Sequence, residues 1–138
     1  MTAPVIVGVG VDAVDVPRFR KVLQRRPGIT ARLFSDDEMA YASRFRDPTQ
    51  RLAARFAAKE AAMKALGVGL GAFRLRDVEV VKAPSGAPAL VLRDGAAAVA
   101  DRRDTTAWHL ALTHTDTVAI AFAVAVGPAP APASAPTA

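Results

Sequence analysis

No cysteine occurs among the 138 residues, so disulfides and thiolate metal sites are excluded. Only two histidines are present, His109 and His114, and neither lies in a recognisable nucleophile motif, so a catalytic triad has no support. Aromatic residues make up 6% of the chain, too few for the base-stacking platform of an RNA-binding module. No apolar run reaches about 18 residues, and no basic stretch precedes a long apolar one at the N-terminus. The expectation is a soluble cytoplasmic protein with no membrane partner. Gly8-Val9-Gly10 lacks the third glycine of a dinucleotide-binding loop, and Pro17 and arginines follow it. Those glycines instead suit close backbone packing in a strand.

What the chain does have is a helix-forming stretch at 55–67, RFAAKEAAMKALG. At about 100° per residue, Leu52, Phe56, Met63 and Leu66 form one stripe. Lys59 falls inside it, Glu60 at its edge, and Lys64 one turn beyond Glu60. The remaining surface is mostly alanine, and a helix apolar nearly all round is expected to be buried. A carboxylate there is costly unless it is paired or binds a metal, which makes Glu60 a site candidate.

The net charge is +5. Arg18, Arg20, Lys21, Arg25 and Arg26 cluster, as do Arg44, Arg46, Arg51 and Arg55. Such surfaces favour an anionic partner: nucleic acid, a phosphorylated small molecule or an acidic protein. Arginine used as generic surface charge explains any one of them equally well.

Residues 1–126 read as one domain. The Pro/Ala-rich, uncharged segment 127–138 reads as a disordered tail. Val5–Val11 is a β-branched run expected to be a buried strand ending in Asp12. Asp15 and Pro17 start a helix over 16–26, and RRPG at 25–28 stops it. Ser35 and Glu38 make a capping box for a second helix over 36–45. Asp47-Pro48 opens a long third helix that Gly67 closes. Hairpin strands follow at 77–82 and 89–93, then a short helix at 96–102. A second hairpin has strands at 107–113 and 117–126, with His114 at its bend. The order β-α-α-α-β-β-α-β-β indicates an α+β fold, a small, largely antiparallel sheet packed against a long central helix.

Asp12 ends a strand and Glu60 sits on the buried helix. Two carboxylates from separate elements, without histidine or cysteine ligands, suit a hard cation. Mg²⁺ is held by one or two carboxylates with water and substrate phosphates, and Lys64 is placed to meet such a phosphate. Spacing alone leaves plainer readings open: Asp12 as a turn residue, Glu60–Lys64 as an exposed i,i+4 ion pair, and His114 as a polar hairpin residue.

Three segments, in order, resemble the holo-acyl-carrier-protein synthase family, the small 4′-phosphopantetheinyl transferases. They are VGVGVDAVDVPRF at 7–19, RFAAKEAAMKALGVG at 55–69 and WHLALTHTDTVAIA at 108–121. SGAP at 85–88 is similar to the family's Gly-x-Pro turn. The resemblance implies transfer of 4′-phosphopantetheine from coenzyme A to a serine of an apo acyl carrier protein. It implies Asp12 and Glu60 as Mg²⁺ ligands, and Lys64, His114, Ser85, Gly86 and Pro88 as coenzyme A contacts. It leaves the general base open between Glu60 and a metal-bound water. It further implies a homotrimer with sites at subunit interfaces. Arg18, Lys21 and Arg25 become a docking face for an acidic carrier protein, with no nucleic-acid partner. Ala111 stands where many relatives carry serine, and the Pro/Ala tail lies outside the family's compact domain. Two rival readings are a non-catalytic polyanion- or RNA-binding module and a metal-dependent phosphohydrolase. The first leaves Glu60 unexplained, and the second usually needs more ligands than two carboxylates.

Overall fold

The computed structural model describes residues 3–131. The chain runs β1 (Pro4–Asp15), α1 (Val16–Arg25), α2 (Ile29–Leu33), α3 (Asp36–Ala42) and α4 (Thr49–Leu66). A 3-10 turn at Leu75–Asp77 leads into β2 (Val78–Lys82), β3 (Pro88–Leu92), α5 (Asp94–Arg102), β4 (Ala107–His114) and β5 (Val118–Pro128). The fold is α+β, and the pairing is antiparallel throughout. It is divided into a three-stranded sheet, β1-β5-β4, and a separate two-stranded sheet, β2-β3.

The caps follow from local chemistry. The Asp15 side chain accepts from the Arg18 amide at 2.9 Å and starts α1. Ser35 and Glu38 form the expected capping box of α3. Asp47 Oδ1 accepts from the Thr49 amide at 3.0 Å at the start of α4, and Pro48 between them already has helical backbone, φ −75° and ψ −8°. Gly67 ends α4 at φ 70°, left-handed backbone that other residues rarely adopt. Helix α2 is an addition to the expected order. It has five residues and no side-chain cap, so nothing local announces it.

α4 lies across the inner face of the three-stranded sheet. That face is lined by Ala119, Ala121, Ala123 and Ala125 from β5, all fully buried, and by Gly8 and Gly10 from β1. A Cβ on Gly10 would stand 1.9 Å from the Ala61 carbonyl oxygen, and one on Gly8 equally close to that of Ala65. Helix and strand backbones therefore touch, and only glycine fits.

The expectation of a buried β1 is corrected. Val5, Ile6, Val7, Val9 and Val11 are exposed, Ile6 at 68%, and Phe122 of β5 is exposed beside them. In this one-sided sheet the glycines of β1 take the inner face and most of its large apolar side chains the outer one. Both ends also run further than expected. β1 continues past Asp12 to Asp15, and β5 continues past Val126, pairing Gly127 with Val5 and Pro128 with Pro4. The expected tail therefore begins inside a strand, and its residues 132–138 lie outside the described ones. No helix among the described residues is long and apolar enough to cross a membrane.

The fully buried charge on α4 is Lys59, not Glu60. Its ammonium donates to Glu38 Oε1 at 2.7 Å, to the Leu75 carbonyl at 3.1 Å and to the Val78 carbonyl. Glu38 Oε1 also accepts from the Ser35 amide, and Oε2 from the Val80 amide at 3.1 Å. One carboxylate and one ammonium thus tie α3, α4, the 3-10 turn and β2 together.

Candidate active site

The site is built where β1 leaves the contact with α4. Alternation along β1 puts Asp12 on the same side as Gly8 and Gly10, and those glycines rest on Ala65 and Ala61. Asp12 therefore arrives beside the turn of α4 that carries Glu60 and Lys64. The Lys64 ammonium donates to the Val11 carbonyl at 3.0 Å and to Asp12 Oδ1 at 3.1 Å. The i,i+4 pair with Glu60 that spacing suggested is replaced by a bridge across to the strand. Side-chain exposure is 54% for Lys64 and 19% for Asp12, and Glu60 is half-buried.

Burial, and then the Asp12 charge, push the Glu60 carboxyl above the usual glutamate range, while Lys64 pulls it back. A carboxyl raised in the folded state binds its proton more tightly there than in the unfolded chain. Its contribution to stability is lost as pH rises through that interval. We predict that in the cation-free protein Asp12→Asn lowers the Glu60 titration midpoint and Lys64→Met raises it. Carbon-13 NMR of the Glu60 carboxyl reads both, and an unmoved midpoint in Asp12→Asn would show that the two groups do not interact.

Asp12 and Glu60 line a cavity of about 600 Å³ whose other walls include Phe19, Val22, Leu33, Phe56 and Leu70, with Arg18 also lining it. No group of three or more acidic or histidine ligands occurs among the described residues. The donor set is two like charges, with one ammonium nearby that bonds Asp12. It fits a hard divalent cation that completes its shell with water and phosphate oxygens.

A second cavity, about 270 Å³, is lined by Tyr41, Arg51, Arg55, Lys82, Gly86 and His114, among others. Pro88 also lines it, and no carboxylate does. Arg55 is only 6% exposed, its Nε has no hydrogen-bond partner among the described residues, and its guanidinium lies 4.2 Å over the Tyr41 ring. Burial pushes the Arg55 guanidinium below its ordinary value. Burial alone would raise the Tyr41 phenol, but Lys82 and Arg55 hold it below its usual range. A buried, under-bonded cation among other cations is a seat for an anion.

His114, Gly86 and Pro88 thus share one cavity, and Asp12 and Glu60 the other, with no lining residue in common. Ser85 lines neither; its hydroxyl accepts from the Ala87 amide within the turn at 3.3 Å. Arg18, Lys21 and Arg25 are exposed on α1 at spacings that share a face. Sequence reasoning missed Tyr41 and Lys82, and named Arg51 and Arg55 only within a basic cluster that favours an anionic partner. For Arg55 a signal existed, because it too is a charge on an all-apolar helix, four residues before Lys59.

A sequence profile of the 4′-phosphopantetheinyl transferase superfamily matches residues 8–123. The chain is 52% identical over 109 residues to a holo-acyl-carrier-protein synthase of Frankia alni, spanning 79% of this chain and 87% of the relative. The acyl carrier protein synthase of Mycobacterium tuberculosis matches at 35% identity with a TM-score of 0.67, over 90% of this chain and 100% of the other. The Chronobacterium ammoniagenes ACPS–CoA complex matches at 28% identity with a TM-score of 0.78, over 93% and 99%. These matches take in every site segment described above, and the chain belongs to the holo-acyl-carrier-protein synthase family of 4′-phosphopantetheinyl transferases.

Proposed function

We propose that this chain transfers 4′-phosphopantetheine from coenzyme A to a serine hydroxyl of an apo acyl carrier protein, releasing 3′,5′-ADP. The observation that carries this is that Asp12 and Glu60 line one apolar cleft, with the Lys64 ammonium bonded to Asp12. Asp12 and Glu60 would hold Mg²⁺, which supplies charge neutralisation on the pyrophosphate oxygens when bound. Glu60, on the cleft wall, is placed to take the serine proton. Lys64 sets an ammonium against a phosphate oxygen. The apolar walls exclude water that would otherwise compete with the serine.

The nucleotide end of coenzyme A carries phosphate, and the cationic cavity with Arg55, Lys82 and His114 suits it. Because the two cavities of one chain share no wall, we assign them to different active sites, each completed by a neighbouring copy in a homotrimer. The exposed valines of β1, with Phe122, supply an apolar face for such a neighbour. The compartment is the cytoplasm, where coenzyme A and apo carriers meet.

α1 is the proposed docking face for the acidic carrier, with Arg18, Lys21 and Arg25 steering encounter. Transfer is expected to slow as salt rises, chiefly through kcat/KM. A rate independent of salt between low and physiological ionic strength would remove α1 from that role.

The reaction is tested by intact-mass analysis of an apo carrier incubated with this protein, coenzyme A and Mg²⁺, with and without EDTA. The expected result is a gain of about 340 Da, one phosphopantetheinyl group, that EDTA prevents. No gain with several different apo carriers, from folded protein, would overturn the assignment and favour the polyanion-binding reading.

A further inference from the structure

The Lys64 bridge is not used by the reaction as drawn above. The ammonium that should meet a phosphate is already engaged on β1. It holds Asp12 Oδ1 at 3.1 Å and the Val11 carbonyl at 3.0 Å. Asp12 and Glu60 are the two groups proposed to receive the cation, so an ammonium and a divalent ion compete for one carboxylate.

The charge count shows why both states are reasonable. Two carboxylates and one ammonium sum to −1. Adding a divalent cation makes the cluster +1, and the ammonium then repels the ion. A phosphate brings the negative charge that the ammonium can move to. Lysine suits such an exchange, since its ammonium is a compact point charge on a flexible stem, unlike the rigid arginine fork. Its side chain is 54% exposed, so no packing locks it in place. The carbonyl of Val11 keeps it within reach of Asp12 when it lets go.

We propose that Lys64 is a displaceable counter-charge for the acidic pair, held on Asp12 until a divalent cation arrives and then passed to a phosphate, so that cation and coenzyme A favour each other's binding. This rests on the reading of Asp12 and Glu60 as the cation's ligands. It makes Lys64 a positioning residue before it becomes a phosphate contact.

The test is a calorimetric titration of the folded protein with Mn²⁺, with and without coenzyme A. Lys64→Met and Lys64→Gln are expected to bind Mn²⁺ about two- to fivefold more tightly than the native chain when coenzyme A is absent, the scale of a lost carboxylate–ammonium bond. With coenzyme A present the advantage should disappear, so the mutual enhancement of the two ligands shrinks by the same factor. Lys64→Arg, which keeps the charge and the bond, should stay near the native value. Unchanged or weaker Mn²⁺ binding in Lys64→Met and Lys64→Gln would overturn the proposal. So would tightening of equal size with and without coenzyme A, because that reports only a missing positive charge. Asp12→Ala separates the two levels. If it binds Mn²⁺ as the native chain does, the cation site itself is misassigned and the proposal falls with it. If it loses binding while Lys64→Met shows no tightening, the site stands and only the counter-charge role is lost.

Discussion

Asp12→Ala and Glu60→Ala should each lower the rate of carrier modification by roughly a thousandfold or more, the scale of removing a group that stabilises developing charge. Neither should unfold the protein. Asp12 sits at the edge of the α4 contact and Glu60 is half-buried on a cleft wall, so each truncation leaves the alanine and glycine layer intact. Removing Glu60 even relieves a like-charge contact. The double variant should be little worse than either single one, because two ligands of one ion act as a unit and their losses do not add. Intact-mass time courses measure the rate, and thermal melts show that the fold survives. Substantial transfer by Asp12→Ala in saturating Mg²⁺ would remove that residue from the site.

The second large effect concerns stability. Glu38→Gln is expected to cost about 3–5 kcal/mol, because it strands the fully buried Lys59 ammonium without its counter-ion. For a domain of this size the melting temperature should fall by roughly 10 °C or more. The variant should also recover stability at alkaline pH. Burial already holds Lys59 below the usual lysine range against the pull of Glu38, and losing that carboxylate lowers it further. An unfolded chain then binds the proton more tightly than the folded one, so stability rises with pH from where the folded lysine loses its proton until the unfolded lysine has lost its own. Adding Lys59→Met to Glu38→Gln should restore much of the loss, since no buried charge remains. A melting temperature within 2 °C of the native value, roughly the shift of under 1 kcal/mol, would show that the pair is not needed.

The residues legible from sequence were those whose chemistry clashes with their immediate neighbours. Glu60 stands out on an all-apolar helix, and Asp12 ends a β-branched run. Ser35 and Glu38 announce a helix start three residues apart. What stayed hidden depends on partners distant along the chain. The tie between Glu38 and Lys59 spans 21 residues, so no local pattern holds it. The cationic cavity gathers Tyr41, Arg55, Lys82 and His114 from separate elements, and the sequence shows its arginines only as a basic cluster open to either an anionic partner or generic surface charge. The β1 valines misled because a β-branched run is the same whether it faces a core or the outer face of a sheet. Gly8 and Gly10 marked the true inner face, since only they allow the strand to touch α4.

That contact also decides where this enzyme can change over time. Between α4 and the sheet, glycine and alanine meet backbone to backbone, and no side chain there has room to grow. The layer that sets Asp12 against Glu60 is closed to gradual substitution. α1 is open to it: Arg18, Lys21 and Arg25 are exposed. A lineage that comes to serve a different carrier would thus be expected to rewrite its outer helix while the spacing of the carboxylates is inherited unaltered.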